Sequence, residues 1–525
     1  MTGESMRKAA LLISALFLPV LSWGAVTDTP ADNPDLAELI LPTQRIEFGL
    51  AKASSESGLL GWGGVDLRGG SRYDQADSFR WRLRWDELGF DTRTLQAELG
   101  VQGQYGFSMF HDQYHFLLSD DYQTPLSGAG SSRLTSPLTG LVRPSAVPGS
   151  AFNPFELNIE RSRNQLGFYT HLNEQWTLRA GFQHELREGT KGTGALSGSV
   201  GGTAMILPEP IHQTLETLSL NLAYGQNRQH LQFAYTGSIF RNQIDQLDFQ
   251  NPFTTGSLNN RLGVAPDNQL HQFKLDGGMN LSTATRLTGA WTKGRLSQNE
   301  AFLPYATSAA VATLPQNSLN GLVLTEHRFL QLTHRASRDL NLSANYRYDD
   351  RDNHTPINAY TRLNTEAGST GTLSNSPYRR QHQQASLEAD YALTRNLRWV
   401  VGQDQMWIQR SCRNTDERCV DSERSHEWVW RSEIRQTFNE WVSGRLGYRH
   451  GDRRVDDYAP LTAAADLSGM RKFIYADRIR EQWWASSTIL ATEALAFNVR
   501  MDLNDDRYAQ SRYGLDQAGG WGGAS

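Results

Sequence analysis

The stretch Leu95-Gln96-Ala97-Glu98-Leu99-Gly100-Val101-Gln102-Gly103-Gln104-Tyr105-Gly106-Phe107 puts an apolar or small residue at every odd position and a polar residue or glycine at every even one. Successive side chains of a strand point to opposite faces, so this alternation gives one apolar face and one polar face. The pattern recurs at Trp176–Glu185, Leu218–Tyr224, Leu231–Ile239, Leu340–Tyr348, Leu397–Val401 and Leu495–Leu503. A tilted strand crosses a bilayer in about 9–11 residues, the length of the longer stretches. The fold class read from this is all-β: a large antiparallel transmembrane β-barrel of the outer-membrane type, with about 17 strands visible from Phe79–Trp85 onwards.

Composition narrows the alternatives. Only 38% of the 525 residues are hydrophobic, too few for a helical membrane protein, whereas a barrel needs apolar residues at every second strand position only. The 14 Trp and 18 Tyr suit the aromatic girdles at the two membrane interfaces. A formal charge of −5, with no long basic run, argues against nucleic-acid binding. The competing soluble fold is a secreted sandwich or propeller, and the connections decide against it. Short turns (Asn173-Glu174, Leu281–Ala284, Ala336–Asp339, Leu393–Asn396, Thr437–Glu440) alternate with long polar segments such as 117–155, 187–214, 241–266, 295–321, 351–380 and 451–475. Short periplasmic turns and long extracellular loops are the outer-membrane pattern.

Arg7 and Lys8 precede the apolar run Ala9–Leu21 and the small residues Ser22, Gly24 and Ala25, which reads as a signal peptide over residues 1–24. Residues 25–75 read as a polar lead-in, either a periplasmic tail or a segment folded into the lumen, with one short strand at Ile46–Ala51. The barrel proper is expected over 76–503, and 504–525 reads as a truncated or non-native tail. An exported chain with barrel strands belongs in the outer membrane of a bacterium.

The candidate functional positions are mostly lumenal. Arg80, Arg82 and Arg84 alternate with Phe79, Trp81, Leu83 and Trp85. An arginine facing lipid at the midplane costs roughly 2–4 kcal/mol, so these three are expected to face the lumen. Glu98, Arg179, Glu388, Asp390, Arg398 and Arg500 are placed inward for the same reason. Both signs interleave, and no single sign is expected to dominate. Cys412 and Cys419, seven positions apart in a polar loop of an exported chain, read as a loop disulfide. No Cys-x-x-Cys-His is present, so the chain carries no c-type haem of its own, and no metal site is expected. The Gly61–Gly64 run lacks the Lys-Ser/Thr of a phosphate loop, and Asp349–Asn353 lacks the spacing of a calcium loop and reads as surface loop. No Gly-x-Ser-x-Gly or His-Glu-x-x-His motif appears; a hydrolase would need a Ser/His pair that only folding brings together.

Several segments outside this periodicity resemble a known family. They are Ser119-Asp120-Asp121-Tyr122-Gln123-Thr124-Pro125-Leu126-Ser127-Gly128, Leu207-Pro208-Glu209-Pro210-Ile211 and Tyr235-Thr236-Gly237-Ser238-Ile239-Phe240-Arg241-Asn242. Asp248-Phe249-Gln250-Asn251-Pro252-Phe253, Arg347–Asn353 and Ser511–Leu515 follow in order. Together they resemble the decahaem-associated outer-membrane β-barrels of the MtrB/PioB type. The resemblance implies a wide, non-enzymatic, porin-like sheath. Its lumen would house a periplasm-facing multihaem c-type cytochrome while electrons cross the membrane, and an extracellular multihaem cytochrome would dock outside. Haem would then belong to the partner. The alternative from the residues alone is a diffusion porin or uptake channel with an open lumen. An odd strand count and the non-strand tail Gly519–Ser525 lead to the further expectation that the sequence is truncated from a larger, even-numbered barrel.

Overall fold

A computed structural model describes residues 45–52, 59–70, 79–87, 92–138, 147–197, 203–250, 259–303, 314–362, 371–413, 419–456, 458, 473–493, 495–509, 514–515 and 521–522. The signal segment 1–24 lies outside them. The main feature is one nineteen-stranded sheet. It begins with β1 (Arg45–Lys52), β2 (Leu59–Gly70), β3 (Phe79–Asp86), β4 (Arg93–Val101) and β5 (Tyr105–Ser119). It continues with β6 (Leu157–His171), β7 (Trp176–Ser197), β8 (Thr203–Gln226), β9 (Gln229–Asn242) and β10 (Asn268–Asn280). Then come β11 (Thr285–Gln298), β12 (Gly321–Arg335), β13 (Leu340–Asn353), β14 (Tyr378–Ala392) and β15 (Leu397–Cys412). The last are β16 (Arg424–Thr437), β17 (Val442–Asp456), β18 (Arg478–Thr492) and β19 (Leu495–Tyr508). Each pairs antiparallel with its neighbours in sequence, a continuous meander.

Seventeen strands run from β3 onwards, as the alternation predicts. The lead-in differs from expectation. Residues 45–52 and 59–70 add two strands to the sheet, so strand structure starts before residue 76, and Gly61–Gly64 lies inside β2. Glycine and leucine without a clear polar alternation hid the second of these. At the other end β19 runs on to Tyr508, past the expected barrel end at 503, and Gly514–Leu515 pairs with Trp521–Gly522, the latter within the Gly519–Ser525 tail expected to hold no strand.

Leu95–Phe107 is two strands, not one. Gln102–Gln104 form a turn in which Gly103 takes a left-handed φ of 77°, a conformation glycine adopts without penalty. Because the turn has three residues, Val101 pairs with Tyr105 and Leu99 with Phe107, and odd positions stay on one face through the reversal. Periodicity passes through such a hairpin unbroken. Elsewhere the turn chemistry is repetitive. In Leu172–Gln175, Leu281–Ala284, Ala336–Asp339, Leu393–Asn396 and Phe438–Trp441 the second residue is Asn, Ser or Thr. Its side-chain oxygen accepts from backbone N–H groups two or three residues on: Asn173 at 2.9 Å, Ser337 at 3.1 Å, Asn439 at 2.8 and 2.9 Å. That local bond competes with continued extension and reverses the chain.

The two faces are sharply unlike. One carries Leu99, Phe107, Phe182, Leu220, Phe233, Leu275, Leu330, Trp399, Leu446 and Val499, all substantially exposed. An apolar band of this extent would not persist against water. The described residues contain no helix long and apolar enough to cross a membrane. The tightly buried apolar cluster lies where the loop-side end of β8 meets the long connections.

Candidate functional site

The site has two parts, a polar sheet face and a loop cap. Register, not sequence spacing, assembles the face. Arg82 lies opposite Glu98, Arg80 opposite Gly100, and Gly100 opposite Gly106. Gly106 then faces Tyr169, and Tyr169 faces Arg179. Following pairings across the sheet brings Glu388, Asp390, Arg398 and Arg500 onto the same side. All nine lumen-assigned residues, Arg84 included, therefore share one face. Several are paired. Arg84 Nε reaches Asp86 at 2.7 Å, Arg398 reaches Asp390 at 2.9 Å, and Arg500 reaches Asp502 at 2.7 Å. Glu388 receives Arg431 at 2.8 Å.

The expectation that neither sign dominates does not hold on this face. Towards the short turns it gathers Arg80, Arg82, Arg179, Arg286, Arg335, Arg398, Arg435, Arg445 and Arg500, against Glu98, Asp276, Glu388, Asp390, Glu433 and Asp502. Further from the turns Arg431 faces Arg449, and Arg453 faces Arg478. The chain as a whole is acidic, so this is placement rather than composition. Arg286, Arg335 and Arg500 are each the only arginine on this face of their strand, and only the register shows which arginines adjoin them.

Aromatic side chains share the polar face. Phe110, Tyr114 and Phe116 of β5 stand opposite Gln165, Arg161 and Ile159 of β6. Tyr114 and Phe116 are nearly half exposed, and the Arg163 guanidinium lies 5.6 Å from the Phe110 ring centre. Trp484 donates from Nε1 to Glu433 at 2.9 Å. Its indole crosses Gly447, where a Cβ would come within 2.1 Å of the ring. These residues were missed because the alternation search treats every aromatic as lipid-facing.

The cap is built on the loop side. Leu126, Leu134, Leu207, Leu247 and Phe249 form a buried cluster, with Leu134 and Leu207 fully covered. Around it Arg133–Leu134 pairs parallel to Asp248–Phe249, and Gln246–Gln250 pairs antiparallel to Asn259–Gly263. Arg261 bridges to Asp248 at 2.8 Å, which raises its pKa further. Tyr122 donates its hydroxyl to the Ile206 carbonyl at 2.8 Å, and burial pushes that phenol's pKa up. Residues of the segments 119–128, 207–211 and 248–250, far apart in sequence, thus meet in one nucleus. Residues 187–197 and 203–214, expected as a loop, instead extend strands β7 and β8 and support it, and Asp349–Asn353 belongs to β13.

At another part of the loop side Cys412 and Cys419 are joined by a disulfide with Cα atoms 5.7 Å apart. The returning chain is anchored by buried Val420, Asp421 and Ser422, the last donating to the Asp456 carbonyl at 2.7 Å. The described residues hold no cluster of His, Cys, Asp and Glu able to bind a metal.

The family profile described as outer membrane beta-barrel porin, MtrB/PioB, matches residues 42–524. The chain belongs to the MtrB/PioB family of outer-membrane β-barrel porins. A curated member, Outer membrane protein MtrB of Shewanella baltica (strain OS185), is 29% identical over 441 residues, covering 82% of this chain. The chain spans 61% of that relative's length. Among solved structures, the copper transporter OprC is similar with a TM-score of 0.44 at 8% identity, covering 89% of this chain and 63% of its own. The ferric-catecholate import receptor Fiu of E. coli K12 gives 0.41 at 11%, covering 92% and 79%. Neither is close enough to carry a function across. Membership in the MtrB/PioB family places the protein in the bacterial outer membrane and explains the exposed apolar face.

Proposed function

We propose that this MtrB/PioB chain is a non-enzymatic sheath whose apolar face meets lipid and whose polar face encloses a multihaem c-type cytochrome, supporting electron transfer across the outer membrane. The short turns face the periplasm, and the cap and disulfide loop face outwards. The observation that carries the reading is the composition of the polar face. A wall that touches only water and small solutes has no use for exposed Tyr114 and Phe116 beside arginines. Arginine and aromatic residues are the types enriched where one protein surface packs on another. The partner brings the haem, and the chain supplies insulation and position.

The competing reading, an open diffusion porin, draws on the family's description as porins and on the polar wall. One preparation separates them. The protein, extracted gently from its native membrane and purified by an affinity tag, should carry haem absorbance in fixed ratio to the barrel. Colourless protein with large, steady conductance in planar bilayers would instead favour the porin.

A further inference from the structure

The inner wall between β16 and β19 contains a recess of about 520 Å³ lined by Arg431, Arg445, Arg449, Arg500 and Trp484. Its carboxylates are already engaged. Asp404 lies 3.5 Å from Arg431, Asp502 is held by Arg500, and Glu433 takes both Arg435 and the Trp484 indole. No carboxylate among the described residues lies within ion-pairing distance of Arg445 or Arg449, and the Arg449 Nε is shielded from solvent without a hydrogen-bond partner. Both also stand directly across from another arginine, Arg445 opposite Arg435 and Arg449 opposite Arg431. Like charges directly opposed across strands destabilise a sheet. The arrangement leaves two forked donors unpaired in a concave, positively charged wall.

We propose that this recess is an oxyanion site whose ligand is the carboxylate-bearing surface of the protein held in the lumen. Guanidinium groups match carboxylates with two parallel hydrogen bonds, so a pair of unpaired arginines can seat an acidic side chain and fix its depth and rotation. The arginine excess continuing along the turn-side band, from Arg398 and Arg435 to Arg286 and Arg335, would attract such a surface from the periplasmic side before it docks. The proposal rests on the sheath reading for its ligand but not for its charge.

The test uses the full chain with Arg445→Gln/Arg449→Gln, which removes only the two unpaired guanidiniums, and with Arg445→Lys/Arg449→Lys, which keeps the charge. Haem retained on the tagged barrel is followed through washes of rising potassium chloride. The glutamine variant should release haem at lower salt than wild type, and the lysine variant should lie between them. Identical release from all three overturns the proposal. If wild type carries no haem the sheath reading fails, and a second measurement decides the site: the reversal potential of the purified protein in bilayers under a potassium chloride gradient. A shift towards cations in the glutamine variant, restored by lysine, supports an anion site open to solutes; no shift overturns it. Heat-modifiable migration on gels confirms that each variant is folded.

Discussion

Leu220 and Arg179 show how a single position reports its face. Leu220 stands opposite Ala180 and Tyr235 in the middle of the apolar band, while Arg179 stands on the polar face opposite Tyr169 and Asn221. Leu220→Arg should lower folding stability by roughly 2–4 kcal/mol, the cost of arginine near the midplane, and Arg179→Ala by much less. Urea titration of protein refolded in detergent measures both, and equal losses would count against this assignment of the faces. Gly447 gives a second residue-level test. The Trp484 indole occupies the space a Cβ would need, so Gly447→Ala must displace the ring and break its bond to Glu433. An indole torn from a carboxylate in the wall should show as a shifted tryptophan emission, absent when Gly103 in its open turn is replaced instead. Gly103→Ala should lower stability slightly through its positive φ while leaving the emission unchanged.

At the scale of elements, what was legible in the sequence follows from what alternation can encode. The strands from β3 to β19 and their sorting into short and long connections could be read because apolar residues must meet lipid at every second position. The hairpin at Gln102–Gln104 could not, since a three-residue turn preserves the phase. Nor could the loop cap, because Leu126, Leu207 and Phe249 come together only after two distant connections fold over the loop-side end of β8. The disulfide was legible from two cysteines and a compartment. Maleimide should label Cys412 and Cys419 on intact cells only after reduction; labelling without reductant would show free thiols. The loop joining β11 to β12 offers a pH test. Burial pushes the Glu300 carboxyl pKa up, and nearby Asp267 and Asp245 push it further, while the Asp267 backbone N–H, 2.6 Å away, opposes them. A carboxyl raised on folding contributes stability that is present below its unfolded pKa and lost as pH rises through the folded value. Hydrogen exchange in 243–250, 259–267 and 299–303, corrected for intrinsic rates, should therefore quicken from pH 4 to 7 in the wild type and not in Glu300→Gln.

For the whole molecule, the question is what fills a wall of nineteen strands whose polar side is cationic and partly aromatic. In a small barrel the inward side chains meet across the axis and fill the interior themselves. A wide sheet cannot do this. Its inward residues are satisfied by water, by neighbours along the wall, or by a body in the lumen. Neighbours settle Arg398, Arg431 and Arg500 but leave Arg445 and Arg449 facing inward. A ligand that binds only the folded barrel stabilises it in proportion to its occupancy, and an assembled sheath missing its contents should be the less stable form. Removing every gene for a periplasmic multihaem cytochrome should accordingly lower the steady-state level of this protein in the outer membrane without lowering its transcript. Returning one cytochrome should restore the level only if that cytochrome also co-purifies with the barrel. An unchanged level in the deletion strain would mean that the wall needs no protein inside it, and the open porin would then be the better account of this chain.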